Sequence, residues 1–214
     1  MNKATFVLCG AMVLASLVLT AVLYPALPAT IPIHWDAAGR PNGYAPRAAA
    51  FLLGPGLMAA LLALFAALPW LSPRGMNVTA FRDSYAEIAA IVVGMAGYAN
   101  ALILLAATGV AIDVPRVALG GVALGLALIG NLMGKVRKNF WIGIRTPWTL
   151  ASDKVWYLTH RLAGKTIVGA ALLGLGLLLA GAHPGPVTAT LLAGVIVPAL
   201  YSLVCYKRLE RAGE

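Results

Sequence analysis

The sequence predicts an all-α, polytopic membrane protein. It should have six transmembrane helices, both termini inside, a structured outer loop and an interfacial amphipathic helix in the inner loop. Composition is the first reason. Of 214 residues, 61% are apolar and 11% charged, where a soluble domain has about 45–50% and about 25%. The mean hydropathy is +0.87. These values exclude a soluble domain, a disordered chain, a coiled coil and a disulfide scaffold. The second reason is that apolar runs long enough to cross a bilayer recur six times. The third is that the formal net charge of +9 lies almost wholly in alternate connecting segments.

A spanning helix needs about 20 mainly apolar residues, because the hydrocarbon core is about 30 Å thick and a helix rises about 1.5 Å per residue. Residues 4–24, 48–70, 88–109, 117–134, 166–181 and 187–206 qualify, and none holds an Asp, Glu, Lys, Arg or His in its interior. The first run exceeds the roughly 7–15 apolar residues of a signal peptide and no small-x-small site closes it, so an uncleaved span is expected. The fifth run is short and should extend back through Leu162. Gly121/Gly125 and Gly130/Gly134 in the fourth run, and Ala170/Gly174 in the fifth, are small-residue pairs that let helix backbones approach. Cys9 and Cys205 fall within spans and read as small apolar packing residues.

With the N-terminus inside, thirteen of the sixteen Lys and Arg fall on the inner side, and only Arg40, Arg47 and Arg116 fall outside. Counting Asp83, Glu87, Asp153, Glu210 and Glu214 inside, and Asp36 and Asp113 outside, the inner side carries +8 and the outer side +1. The positive-inside rule then fixes N-in and C-in. Trp35, Trp70, Trp141, Trp148 and Trp156 all lie in loops or at span ends, where interfacial belts form. Two regions follow: residues 1–70, a helix pair with a Pro-rich outer loop, and residues 71–214, four helices with a basic and aromatic inner loop at 135–165.

The outer loop, residues 25–47, has proline at 25, 28, 32, 41 and 46 and so is neither helix nor central strand. Ile31, Ile33 and Trp35 alternate with Pro32, His34 and Asp36, which gives a short extended piece with two faces. Gly39 supplies a turn, and Pro41-Asn42-Gly43 signals another, after which Tyr44 returns toward the membrane. His34 and Asp36, with His183 and Asp113, raise the idea of a metal cluster. No spacing motif supports it, and no metal is expected.

In the inner loop, residues 139–149 should lie along the interface, with Phe140, Trp141, Ile142, Ile144 and Trp148 dipping toward apolar surroundings and Arg145 among the aromatics. From there the chain turns helical. Thr149 or Ser152 caps the start, Asp153 sits in the first turn, and Val155, Leu158, Thr159 and Leu162 share a face. Trp156 and His160 are one turn apart. Arg145, His160 and Arg161 have three readings: contact with anionic lipid, a latch in which Arg145 stacks on tryptophan and bonds helix-end carbonyls, or recognition of a peptide, protein or anionic ligand.

At these two loops the chain resembles the SdpI family of bacterial six-span proteins. The inner stretch Asn139-Phe140-Trp141-Ile142-Gly143-Ile144-Arg145-Thr146-Pro147-Trp148-Thr149-Leu150, followed by Trp156, His160, Arg161 and Gly164, resembles the family's signature. The outer Ile31-Pro32-Ile33-His34-Trp35-Asp36, then Gly39, Pro41, Gly43 and Tyr44, resembles the domain of unknown function that precedes it in many members. The resemblance implies a bacterial cytoplasmic-membrane protein that protects against a secreted membrane-active peptide. In some settings such proteins signal by holding a transcriptional repressor at the inner face. The implied recognition residues are His34, Trp35, Asp36, Gly39, Pro41, Gly43 and Tyr44 outside. Inside they are Asn139, Gly143, Arg145, Thr146, Pro147, Trp148, Thr149, Trp156, His160 and Arg161. The expected partners are the lipid bilayer, with anionic lipid at the inner face, a secreted toxic peptide outside and a cytosolic repressor inside.

Other functions find less support in the residues. A transporter or exporter of a small amphiphile or peptide is the alternative, but coupled carriers generally hold an intramembrane ionisable group, and here Asn100, Thr108 and Asn131 are the strongest polar groups in the spans. Asn100 and Asn131 suit hydrogen bonds across helices. An enzyme would need paired Asp, a Ser–His pair or HExxH in a span; His160 with Asp153 at the inner interface is what is left for that idea. No catalytic residue, no cofactor and no direct contact with nucleic acid is expected.

Overall fold

The computed structural model describes residues 2–36 and 38–213; Glu214, counted above among the inner acidic residues, lies outside them. Among the described residues, six helices are long and apolar enough to cross a membrane: Lys3–Ala26, Ala49–Leu71, Val78–Ala107, Val114–Met133, Asp153–Leu179 and Pro184–Arg211. The protein is therefore a multi-pass, mainly helical membrane protein. The third and fifth spans begin earlier than hydropathy alone suggested. Their N-terminal two to three turns carry Arg82, Asp83 and Glu87, or Asp153, Lys154 and Arg161, which dilute the hydropathy without breaking the helix. The amphipathic segment expected in the inner loop runs straight into the fifth span as one helix, Asp153–Leu179.

The chain separates into two compact units, Met1–Ala66 with Ala89–Val122, and Ala67–Ile88 with Ala123–Glu214. The first unit contains α1 (Lys3–Leu23), the strands β1 (Thr30–Trp35) and β2 (Pro41–Pro46), and the short helix α2 (Ala49–Phe51). A π-helical turn, Leu52–Gly56, leads from α2 into α3 (Leu57–Leu71), which begins in this unit. Parts of α4 (Arg82–Ala107) and α5 (Val114–Met133) complete it. Pro55 inside the π turn supplies no N–H, and that omission accounts for the widened turn.

β1 and β2 pair antiparallel, with Ile31 opposite Ala45, His34 opposite Gly43 and Trp35 opposite Pro41, and the register shifts on both sides of His34. The extended piece expected from Ile31 to Asp36 falls largely on β1, and both strands of the hairpin are edge strands, where proline is tolerated. One expectation is corrected: Pro41-Asn42-Gly43 opens β2 instead of making a turn. The turn lies at Asp36–Arg40, where the Asp36 N–H donates to Arg40 O and the Gly39 N–H to Asp36 O, both at 3.0 Å. Gly39 takes φ +79, open to glycine at no steric cost. Beneath the hairpin, Leu27, Ile31, Ala50, Leu104 and Ala107 form a core against which Ile33 and Tyr24 pack.

A buried polar contact crosses this unit. The Asn100 amide donates to Ser16 Oγ at 3.0 Å and Thr20 Oγ1 at 3.1 Å, the cross-helix bonding expected of it. The amide lies flat on Gly54, where an added Cβ would stand 2.3 Å from the Asn100 carboxamide carbon.

The second unit contains α6 (Pro147–Ala151), α7 (Asp153–Leu179) and α8 (Pro184–Arg211) with the inner ends of α3, α4 and α5. Small residues set the α7–α8 contact. A Cβ on Gly194 would approach the Ala170 Cβ to 2.5 Å, and Thr166 Oγ1 donates to Gly194 O at 2.9 Å. Gly174 gives similar room to Leu191, so the Ala170/Gly174 pair marks a packing face. The Gly130/Gly134 pair divides: Gly130 meets Ile167 and Val168, whereas Gly134 faces open space.

Candidate functional site

The inner loop folds around one side chain. Asn139 is fully buried. Its Oδ1 accepts the N–H groups of Trp141 at 2.8 Å and Ile142 at 2.7 Å, and its Nδ2 donates to Arg137 O at 2.9 Å and Ile142 O at 2.8 Å. That uses the full capacity of a carboxamide, two donors and two acceptor positions. With Asn139 in place, the Phe140 N–H reaches Met76 O at 3.2 Å and the Trp141 indole donates to Ser72 Oγ at 3.0 Å. The loop is thus tied to the segment after α3.

Gly143 follows with φ +115, and a Cβ there would lie 2.3 Å from Nε2 of His160. The close approach lets the Ile144 N–H donate to that Nε2 at 3.0 Å, while Nδ1 of His160 donates to Trp156 O at 2.8 Å. A carbonyl can only accept and an N–H can only donate, so the two partners assign the neutral tautomer with its proton on Nδ1. The His160 ring stacks on Trp156 at 4.1 Å and 17°. The Trp156 indole in turn donates to Val136 O at 2.9 Å. Both side chains are buried.

The next residues close the knot. Thr146 caps α6 in a reciprocal capping box with Thr149, and Pro147 takes the first helical position. Thr149 Oγ1 also donates to Ile144 O at 2.8 Å, and Thr146 Oγ1 meets Ser202 Oγ of α8 at 2.9 Å. Ser152 caps α7 through the Val155 N–H. The Arg145 guanidinium donates to Phe140 O and lies 5.8 Å over the Phe140 ring. The expected latch differs in both partners: Arg145 stacks on Phe140 instead of a tryptophan and bonds a loop carbonyl instead of a helix-end one, because the loop turns Phe140 toward Arg145 while Trp141 reaches Ser72.

Of the inner signature residues, Asn139, Gly143, Arg145, Thr146, Thr149, Trp156 and His160 join one network. Pro147 serves as a helix start and Trp148 is half-buried beside it. Arg161 stands apart, donating to Tyr157 OH at 2.8 Å. Beside the knot a pocket of about 430 Å³ is lined by Arg137, Lys138, Asp153, Trp156, Tyr157 and His160 among others. Lys138 and Asp153 form an ion pair at its edge. Ser72, Ser202 and Tyr157 carried no signal in sequence; each is an isolated polar residue outside any recognisable spacing.

The outer residues meet in the hairpin. His34 hydrogen-bonds Asn42 through Nδ1. Gly43 opposes it because a Cβ there would come 2.9 Å from the His34 Cβ. Asp36 organises the turn: Oδ1 accepts the N–H groups of Ala38 and Arg40, both at 2.9 Å, and Oδ2 accepts Arg40 Nε at 3.0 Å. The main-chain N–H of Arg40, helped by its guanidinium, holds the Asp36 carboxyl below the usual range despite partial desolvation. Trp35 is half-buried, Pro41 pairs with it, and Tyr44 is 60% exposed. At the base, Arg47 lies 4.9 Å over the Tyr24 ring and reaches Leu27 O.

His34, Asp36, His183 and Asp113 do not form a ligand set. His183 caps α8 through the Gly185 N–H, and Asp113 pairs with Arg116. Among the described residues no group of three or more His, Cys, Asp or Glu is placed to hold a metal ion.

Residues 135–205 match the SdpI/YfhL protein family and residues 11–59 match the domain of unknown function DUF1648. The first range covers the inner knot, and the second covers the hairpin. The chain is 28% identical over 147 residues to "Immunity protein SdpI" of Bacillus subtilis (strain 168), an overlap of 69% of this chain and 68% of that protein. No solved structure matches the chain. The knot of Asn139, His160 and Trp156 thus lies in the stretch that matches the SdpI/YfhL family model, and the hairpin lies in the stretch that matches DUF1648.

Proposed function

We propose that this protein gives a bacterial cell immunity to a secreted, membrane-active peptide, and that it acts in the cytoplasmic membrane with both termini in the cytosol. The observation that carries this reading is the similarity, over more than two thirds of the chain, to a protein named for immunity. The two loops support it by their build. The hairpin has a fixed turn, while His34 and Tyr44 stand exposed on it, so a peptide arriving from outside would meet an ordered surface. The inner knot joins Ile144 of the loop to His160 of a spanning helix. A shift of α7 would therefore move Arg145 and the Lys138–Asp153 edge together and change the surface offered to a cytosolic repressor.

The test is survival. A strain lacking the gene is compared with the same strain carrying it on a plasmid, both challenged with secreted membrane-active peptides. The reading expects loss of tolerance on deletion, restored by the plasmid, with unchanged growth when no peptide is present. Equal tolerance in both strains across the peptides would overturn it.

A further inference from the structure

The second unit carries a groove of about 600 Å³ between α5 and α7 that the knot does not use. Its floor is glycine. Gly164 approaches so closely that a Cβ there would lie 3.2 Å from Gly130 O, whereas a Cβ added to Gly134 or Gly169 would meet nothing within 4 Å. The first contact is helix packing; the other two glycines leave unfilled space.

The groove is polarised along its length. Arg161 and Lys165, one turn apart on α7, line one end, and no acidic side chain lines any part of it. Arg161 is held in place by Tyr157, whose hydroxyl accepts its Nη1 at 2.8 Å and whose ring lies 5.5 Å below its guanidinium. Nearby, the Asn131 side chain is exposed and has no hydrogen-bond partner among the described residues. Val168 and Leu172 line the other end. Positions 161, 165, 168 and 172 fall on one stripe of a helix, so the lining changes from charged to apolar over about 16 Å.

Two cations without an acid call for an anion. A free phosphate would leave the apolar half empty, and a cation that merely snorkels to the interface needs no groove. We propose that this groove binds an anionic glycerophospholipid from the adjoining leaflet. The phosphate sits between Arg161 and Lys165, the Asn131 amide bonds the headgroup, and one acyl chain lies along Gly169, Val168 and Leu172. This does not rest on the immunity reading, and its test involves no toxin.

The full chain in neutral detergent is titrated with phosphatidylglycerol or phosphatidylcholine of identical acyl chains and read by native mass spectrometry. Soluble glycerol 3-phosphate serves as competitor. Phosphatidylglycerol is expected to bind more tightly than phosphatidylcholine. Arg161→Gln and Lys165→Gln should each weaken it about fivefold and leave phosphatidylcholine unchanged. Gly169→Leu, entering space that is open, should weaken phosphatidylglycerol with no fall in melting temperature. Three results would each overturn the proposal: equal binding of the two lipids, phosphatidylglycerol binding that survives Arg161→Gln/Lys165→Gln, or displacement by equimolar glycerol 3-phosphate, which would mean an anion site without a lipid groove.

Discussion

His160 and Ile144 are joined by a single bond from side chain to main chain: Nε2 accepts the Ile144 N–H at 3.0 Å, with Gly143 pressed against the same ring. Both ring nitrogens serve groups that cannot change roles, so His160 acts as a fixed post for the loop. His160→Phe keeps the bulk and the stack on Trp156 but orphans a main-chain donor. It should cost about 1–3 kcal/mol, read as a lowered melting temperature in detergent; an unchanged melting temperature would show that the bond contributes nothing.

Gly143→Ala tests the same contact from the other side. The residue has φ +115, and the new methyl would stand 2.3 Å from the imidazole. Strain and clash together should cost about 2 kcal/mol or more. The expected readout is lower accumulation of folded protein, with Gly134→Ala, which meets open space, as the tolerated control.

Asn139→Ala removes four hydrogen bonds from a fully buried position. The loss should approach about 3–4 kcal/mol, because the main-chain groups left behind remain buried. Trypsin reports it directly: cleavage at Arg137, Lys138 and Arg145 should accelerate in the variant. Cleavage at the wild-type rate would mean that the loop does not depend on Asn139.

Gly54 and Asn100 predict a coupling. Gly54→Ala forces a Cβ into the Asn100 carboxamide and should be strongly destabilising. Asn100→Ala alone should be mild, about 0.6–1.7 kcal/mol for its cross-helix bonds. The double variant should lose less than the sum of the two, since truncating Asn100 opens the space the new methyl needs. Strict additivity would contradict the contact.

The hairpin turn should loosen in acid. The Asp36 carboxyl is held low by the Arg40 N–H, so its contribution is complete above the ordinary carboxylate range and is lost as pH falls through the depressed value. Amide exchange at Ala38 and Arg40, corrected for its intrinsic pH dependence, should rise on acidification in the wild type. In Asp36→Asn it should be raised already at neutral pH and respond little to acid.

Much of this was legible in sequence and some was not, for definable reasons. The six spans follow from hydropathy, because lipid demands apolar length. Their inner extensions escaped because hydropathy averages away the charged first turns of α4 and α7. The turn expected at Gly39 is present, built on bonds from Asp36 that spacing does not reveal, whereas Pro41-Asn42-Gly43, for all its turn chemistry, opens a strand. Gly43 is in β2 to leave room for His34. At the inner site the residue types were visible, but their arrangement was not. Nothing in the spacing says that Asn139 binds its own loop, that His160 accepts from Ile144, or that Arg145 chooses Phe140 over a tryptophan.

In the proposed function, an ordered outer hairpin and an inner knot together confer immunity. The most direct measurement is survival of a deletion strain complemented with the His34→Ala/Arg145→Ala variant, with membrane levels of the protein matched to wild type and a protected-against peptide as challenge. Both side chains are exposed, and the account predicts that the variant accumulates yet fails to protect. Full protection at matched levels would contradict it.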